Sequence, residues 1–316
     1  MTGQISARTF VVALCVSGLL AGGCGDSVSE KDRTGKPRIA LVVKSLANEF
    51  FKTMEDGARD HQKAHADAYD LIFNGMKNEQ DVAEQINLVE QMIVQGVDAI
   101  VIAPADSKAL VPVCKKARAA GIVVVNIDNK FDASVLEEEN VRIPFVGPDN
   151  RRGARLAAEH LARKLKAGDE VAIVEGATNA YNGIQRKLGF EDAMNAAGMK
   201  IVSSQTGKWE PEPAEKVVSG MITEHPKIKA ILCANDSMAV GAVAALRAAG
   251  RLDDVLVIGY DNISMVQEFM KEGTILCTID QRADQIAISG IELALLMLGV
   301  TERQTPVTLI TPDRLK

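Results

Sequence analysis

The chain is poor in the residues that carry out chemistry. It has four His and five Cys in 316 residues. No histidine follows a strand, so no general base presents itself for hydrolysis, and no serine or cysteine nucleophile has a partner. His61 and His65 share a helix face at i and i+4 but lack a third ligand or a catalytic glutamate. They read as solvent-exposed histidines rather than a zinc site, and His160 and His225 fall in helical surface segments. A glycine-rich phosphate cradle is also missing: Gly176-Ala177-Thr178-Asn179-Ala180-Tyr181-Asn182-Gly183 fits neither the dinucleotide nor the P-loop pattern. No cofactor and no metal are expected, and the chain does not read as an enzyme. The net charge of −6 and pI ≈ 5.4 leave no basic face for a nucleic acid. Nothing after residue 24 is long or apolar enough to span a bilayer.

The amino end does carry a signal. Arg8 and the terminal amine precede an apolar run from Phe10 to Leu20, closed by Leu20-Ala21-Gly22-Gly23-Cys24. This is an export signal, too short for a transmembrane helix. Small residues directly ahead of a cysteine resemble the lipobox of bacterial lipoproteins, whose thiol takes a diacylglyceryl group. A signal peptide over 1–23 and a lipid-anchored linker over 24–36 are expected, in the periplasm or cell envelope of a bacterium. The alternative is ordinary cleavage nearby with Cys24 a plain thiol. Cys15 leaves with the leader, and Cys114, Cys233 and Cys277 form an odd set without metal spacing, read as buried thiols.

Even without the leader the chain reaches the size, roughly 250–300 residues, at which one core stops growing, so two lobes are expected. From Pro37 onward β-branched runs alternate with helical stretches. The first half carries Arg38 to Val43, Leu71 to Phe73, Ala99 to Ile102, Ile122 to Val125 and Ile143 to Val146. Between the second and third, Val82, Ile86, Val89 and Ile93 recur at helical spacing and Gly96 stands where a C-cap belongs. The second half repeats the plan with Val171 to Val174, Ile201-Val202, Ala230 to Cys233, Val255 to Ile258 and Ile275 to Thr278. Strands apolar on both faces, each followed by a helix, predict two doubly wound parallel-sheet α/β lobes.

Ligands of open parallel sheets bind beyond the carboxyl ends of the strands. In the first half those ends carry Lys44, Ser45 and Asn48 with Phe50 and Phe51, then Asn74, Asp106, Asp128 with Asn129, and Asp149 with Asn150. In the second they carry Asn179 and Asn182 leading to Arg186, then Trp209, Asn235 with Asp236, Asp261 with Asn262, and Asp280 with Gln281. Amides and carboxylates accept from hydroxyls, Arg186 and Lys44 donate to them, and aromatics give flat walls for the C–H faces of a sugar ring. Asn48, Asn150, Asn182 and Asn235 also stand at helix starts, where capping alone would justify each one. Asp106 and Asp236 read as caps or inter-lobe contacts. Capping does not explain the convergence of so many such residues at the ends of different strands.

The motifs, in order, are Lys44-Ser45-Leu46-Ala47-Asn48-Glu49-Phe50-Phe51, Asn126-Ile127-Asp128-Asn129, Gly147-Pro148-Asp149-Asn150, Gln185 to Phe190, Cys233-Ala234-Asn235-Asp236-Ser237-Met238-Ala239, Gly259-Tyr260-Asp261 and Asp280-Gln281. Over nearly all of residues 37 to 316 they resemble the periplasmic sugar-binding proteins of ABC importers, in the ribose-, galactose- and allose-binding branch. The resemblance implies the type I fold, two lobes joined by three hinge crossings near Gly147 to Asn150, Asp280 to Ala283 and Thr308 to Pro312. It places 37–148 plus 282–308 in the N-terminal lobe and 149–281 plus 309–316 in the C-terminal lobe. Carried over by position, Asn48, Asp128, Arg186, Asn235, Asp261 and Gln281 would bond sugar hydroxyls, and Phe50, Phe51 and Trp209 would sandwich the ring. Lys44, the Ile102-Ala103-Pro104 turn and the long segment from Phe131 to Arg142 look most like the allose-binding members, from which Asn129 and Phe51 depart.

The function expected is capture of a pentose, hexose or related polyol by a monomeric lipoprotein, for delivery to an ABC permease. Delivery to a membrane sensor kinase or chemoreceptor is the alternative. A LacI-type repressor shares the fold but would carry a helix-turn-helix where this chain carries an export signal.

Overall fold

The structure is a computed structural model that describes residues 36–296 and, as backbone strands only, 302–305 and 308–310. The leader, Cys24 and nearly all of the expected linker lie outside the described residues, as do 306–307 and 311–316 around the third expected crossing.

The first lobe runs β1 (Arg38–Val43), α1 (Glu49–Ala64), β2 (Asp70–Gly75), α2 (Val82–Val94), β3 (Ala99–Ile102), α3 (Val111–Ala119), β4 (Val123–Ile127), α4 (Ala133–Glu138) and β5 (Phe145–Pro148). The second runs α5 (Asn150–Ala162), β6 (Glu170–Glu175), α6 (Tyr181–Ala196), β7 (Lys200–Thr206), α7 (Pro211–Glu224), β8 (Ile228–Cys233), α8 (Asp236–Ala248), β9 (Leu256–Ile258), α9 (Ser264–Lys271) and β10 (Thr278–Asp280). The chain then returns through α10 (Ala283–Leu296) to β11 (Glu302–Thr305) in the first sheet and ends with β12 (Thr308–Ile310), antiparallel to β10. The sheet orders are β11-β5-β4-β3-β1-β2 and β7-β6-β8-β9, parallel throughout. The chain crosses between the lobes three times: after β5, after β10, and between β11 and β12.

Period-two alternation explains the layering. In β1, Ile39, Leu41 and Val43 join the core under α1 and α10 with Phe51, Met54 and Ile286, whereas Ala40 and Val42 face α2 and α3 with Val89, Met92 and Cys114. The α2 helix ends as its spacing predicts: Gly96 has φ +65°, and the N–H groups of Gly96 and Val97 donate to Ile93 and Met92 carbonyls at 3.0 and 3.3 Å.

Three expectations need correction. β7 is longer than Ile201-Val202, because as an edge strand it carries half-exposed Ser203 and Ser204 and exposed Gln205, polar residues that an apolar pattern misses. The run from Ile275 to Thr278 is not one strand: Cys277 bridges Ile258 in parallel, and only from Thr278 does the chain pair with β12. His61 is not solvent-exposed, since its Nδ1 lies 2.9 Å from the buried Tyr69 hydroxyl and its side chain is 10% exposed. Cys114, Cys233 and Cys277 are buried free thiols, and burial pushes Cys114 and Cys277 up to about 12, out of reach of thiolate chemistry. Among the described residues no cluster of His, Cys, Asp and Glu could hold a metal, and no helix is long and apolar enough to cross a membrane.

Candidate functional site

Loops at the carboxyl ends of both sheets meet around a cavity of about 220 Å3. The first lobe lines it with Lys44, Asn48, Phe50, Phe51, Glu79 and Asp128, and the second with Asn182, Arg186, Trp209, Asn235 and Asp261. Gln281 enters at the crossing after β10. Every residue expected from the sequence to bind ligand is there except Asn129.

Helix starts and unusual backbone angles aim these side chains. Asn48 and Asn235 are N-caps whose Oδ1 atoms accept from Phe50 and Met238 amides at 3.0 and 2.9 Å. Their amide nitrogens then point to the site, donating to Glu79 Oε1 at 2.8 Å and to the Trp209 carbonyl at 3.1 Å. Capping and lining the cavity are thus the same placement, not rival roles. Asn150 and Asn182 do not cap: Asp149 caps α5, and Ala180 holds the N-cap position of α6. Asp128, Trp209 and Asp261 have φ of 59°, 69° and 130°, a region that costs a non-glycine residue on the order of 1–3 kcal/mol. Backbone bonds from Asp128 N to Val146 O (3.1 Å) and Asp261 N to Ile279 O (2.8 Å) hold two of them there.

Among the described residues each lobe buries one cation. Lys44 Nζ lies 2.9 Å from Asp128 Oδ2 and 3.8 Å from Glu79 Oε2, so two carboxylates offset its burial. Burial pushes Glu79 up to about 7; Asp128 and Glu210 add to that push, and Lys44 and the Asn48 bond oppose it. Arg186 donates from Nε to Asn150 Oδ1 and from Nη1 to the Ala234 carbonyl, both at 2.8 Å, and lies 3.5 Å from Asp261 Oδ1. Its guanidinium covers the Tyr260 ring at 3.9 Å. Burial holds Asp261 well above the usual carboxylate range, against the pull of Arg186 and of a 2.5 Å bond from Gln281 Nε2. Lys44 and Arg186 approach the Trp209 ring from different lobes, at 5.6 and 5.4 Å.

Asp236 and Asp106 behave as supports. Asp236 accepts from Thr278 Oγ1 at 2.7 Å and from Ile263 N at 3.0 Å, and burial pushes it up to about 6. Asp106 accepts from the Asn179 side chain of the other lobe at 2.7 Å.

Asn129 is the correction. Its Nδ2 donates to the Pro104 carbonyl at 2.8 Å and its Oδ1 accepts from Asn182 N at 3.1 Å, so the amide ties the two lobes together outside the cavity. The left-handed turn at Asp128 sends neighbouring side chains in different directions. Glu79 is the functional candidate missed from the sequence. It lies four residues past the end of β2, inside Lys77-Asn78-Glu79-Gln80-Asp81, which reads as a solvated loop. Two buried polar atoms of lining residues, Trp209 Nε1 and Gln281 Oε1, have no protein partner. One is a donor and one an acceptor, so a bound molecule offering both finds complements.

The model of the periplasmic binding protein domain matches residues 39–301. The D-ribose/D-allose-binding protein of Pseudomonas aeruginosa is 59% identical over 286 residues, 87% of this chain and 89% of that protein. A solute-binding protein of an ABC transporter from Burkholderia multivorans, solved with an unknown ligand, superposes with a TM-score of 0.86 at 56% identity over 88% of this chain and 100% of its own. One from Actinobacillus succinogenes, solved with bound D-allose, gives 0.83 at 37% identity over 88% of this chain and 99% of its own. This chain belongs to the periplasmic binding protein family, whose members are binding proteins of transport and not enzymes.

Proposed function

Proceeding from that membership, we propose that the chain captures one pentose, hexose or related polyol between its lobes and delivers it to an ABC importer. The observation that carries this is the convergence from both lobes of two buried cations, three carboxylates and three aromatic rings on one cavity of about 220 Å3. The names of its relatives make D-ribose and D-allose the first candidates.

Asn48, Asp128, Asn182, Arg186, Asn235, Asp261 and Gln281 would exchange hydrogen bonds with hydroxyls, with Lys44 and Glu79 as a further donor and acceptor. Phe50, Phe51 and Trp209 would cover the ring faces. A charge-assisted bond contributes about 1.5–3 kcal/mol, so a handful accounts for micromolar or tighter binding. Contacts from both lobes favour the closed arrangement, which gives ligand-driven closure its differential affinity.

Calorimetry across pentoses, hexoses and polyols is expected to find saturable one-to-one binding without hydrolysis. A response to amino acids or nucleotides alone would refute the reading. Cys24 is proposed as the lipid acceptor that holds a monomer at the envelope, with 25–36 as its tether and the lobes divided near residues 148, 281 and 308. Cys24→Ser is then expected to abolish incorporation of labelled lipid and to leave sugar affinity unchanged; undiminished labelling would remove Cys24 from that role.

A further inference from the structure

The first N–H groups of a helix have no partner within it, and half of the ten helices among the described residues supply one from their own N-cap. Asn48, Asp81, Asp132, Asp149 and Asn235 do so for α1, α2, α4, α5 and α8. Helices α3 and α7 instead carry proline in the first turn. Helices α6 and α9 do neither: their N-cap residues are Ala180 and Ile263, which have no side-chain acceptor.

In both cases the acceptor comes from the other lobe. Glu49, the first residue of α1, accepts from Ser264 N at 2.8 Å through Oε1 and from Ser264 Oγ at 2.7 Å through Oε2. Ser107 Oγ accepts from Tyr181 N at 2.9 Å, and Asn129 Oδ1 accepts from Asn182 N at 3.1 Å. Ser107 Oγ also donates to Asn129 Oδ1 at 3.3 Å, which couples the two acceptors. Neither Glu49, Ser107 nor Asn129 lines the cavity, but Glu49 lies between the lining residues Asn48 and Phe50, Asn129 follows Asp128 and holds Asn182, and Ser107 reaches the lining through Asn129. An anionic carboxylate at the start of α9 is also favoured by the helix dipole.

We propose that Glu49, Ser107 and Asn129 are positioning residues for closure, capping α9 and α6 across the cleft so that closing the lobes completes two helices of the second lobe. Opening hands those N–H groups back to water. The cross-lobe caps therefore set the affinity for every ligand by one common factor and leave the choice among ligands to the cavity. For its affinity readout this rests on the capture reading; its exchange readout does not.

The test compares the full chain with its Glu49→Ala/Ser107→Ala double variant, by calorimetry with D-ribose and with D-allose and by hydrogen exchange at the amides of residues 181, 182 and 264. Each cap is expected to be worth about 2- to 30-fold in equilibrium constant. Both sugars are expected to weaken by the same factor, with faster dissociation and faster exchange at the three amides, and Glu49→Gln, which keeps an acceptor for Ser264 N, to lose much less. A changed ratio of the two affinities overturns the proposal, because the residues would then be reading the ligand. Unchanged affinity in a protein that binds sugar also overturns it. If the wild type binds neither sugar, those two candidates for the captured ligand fail separately, and equal exchange in wild type and double variant then overturns the capping.

Discussion

Each lobe presents one buried cation to the cleft, and the two are held by opposite means. Lys44 is a compact charge held by carboxylates, Asp128 at 2.9 Å and Glu79 at 3.8 Å. Arg186 is held mainly by neutral groups, the Asn150 amide oxygen and the Ala234 carbonyl, and by the face of Tyr260. A planar fork can be fixed by dipoles and rings, whereas an ammonium at that depth needs anions beside it. The first lobe therefore keeps its polarity as an ion cluster, and the second as a hydrogen-bonded scaffold on which one carboxylate, Asp261, remains. The difference predicts where each lobe is brittle.

The largest effect is expected at Lys44. Lys44→Ala leaves two buried carboxylates without their cation and is expected to cost about 3–5 kcal/mol of folding stability, measured by denaturant unfolding. Adding Asp128→Asn should restore much of it. Equal instability of the single and double variants would show that Lys44 contributes packing and not charge balance.

Trp209 is the point where the two schemes touch, since both cations approach its ring. Trp209→Ala is expected to keep its fold and to lose about 2–4 kcal/mol of sugar affinity, with ligand-dependent emission of the only tryptophan in the wild type. A folded variant with wild-type affinity would remove the indole from the site.

The smallest effect is the first lobe's share of a pH slope, to which the raised Asp236 and Asp261 of the second lobe add in the same direction. With a folded value of about 7 against 4.5 ordinarily, Glu79 keeps a proton that the unfolded chain has released between those limits. Its contribution is therefore full below about pH 4.5 and lost as pH rises through about 7. Lys44, Asp128 and Glu210 are the charged groups facing it. Glu79→Gln is expected to flatten the fall of melting temperature over that window, and an unaltered slope would assign the fall to other groups.

Most of the cleft is legible in the sequence because apolar periodicity fixes the strand ends of a parallel sheet, and the site residues sit close behind them. Lys44, Asp128, Trp209 and Asp261 all lie within three residues of a strand's last member. Glu79 lies four residues beyond β2 in a charged loop, where nothing local separates a buried carboxylate from a solvated one; only its approach to Lys44 and Asn48, far away in the chain, buries it. Asn129 misleads because alternation of side chains stops at the left-handed Asp128. The cross-lobe caps are invisible for a related reason. An absent cap at Ala180 or Ile263 can be read from the chain, but not the residue in the other lobe that replaces it.

The indole of Trp209 lies where two glycines leave it room. A Cβ on Gly176 would fall 2.1 Å from Cη2 of the ring, and one on Gly183 would fall 3.0 Å from Cζ2. In so densely packed a place positions 176 and 209 are not free to drift separately in descent. A lineage that exchanges the indole for a smaller ring gains latitude at 176, while one that first acquires a side chain at 176 displaces the indole and disturbs the cleft before any new ligand can compensate. Where retuning toward other ligands involves both of these positions it is thus ordered in time: the change at 209 has to come before a side chain at 176.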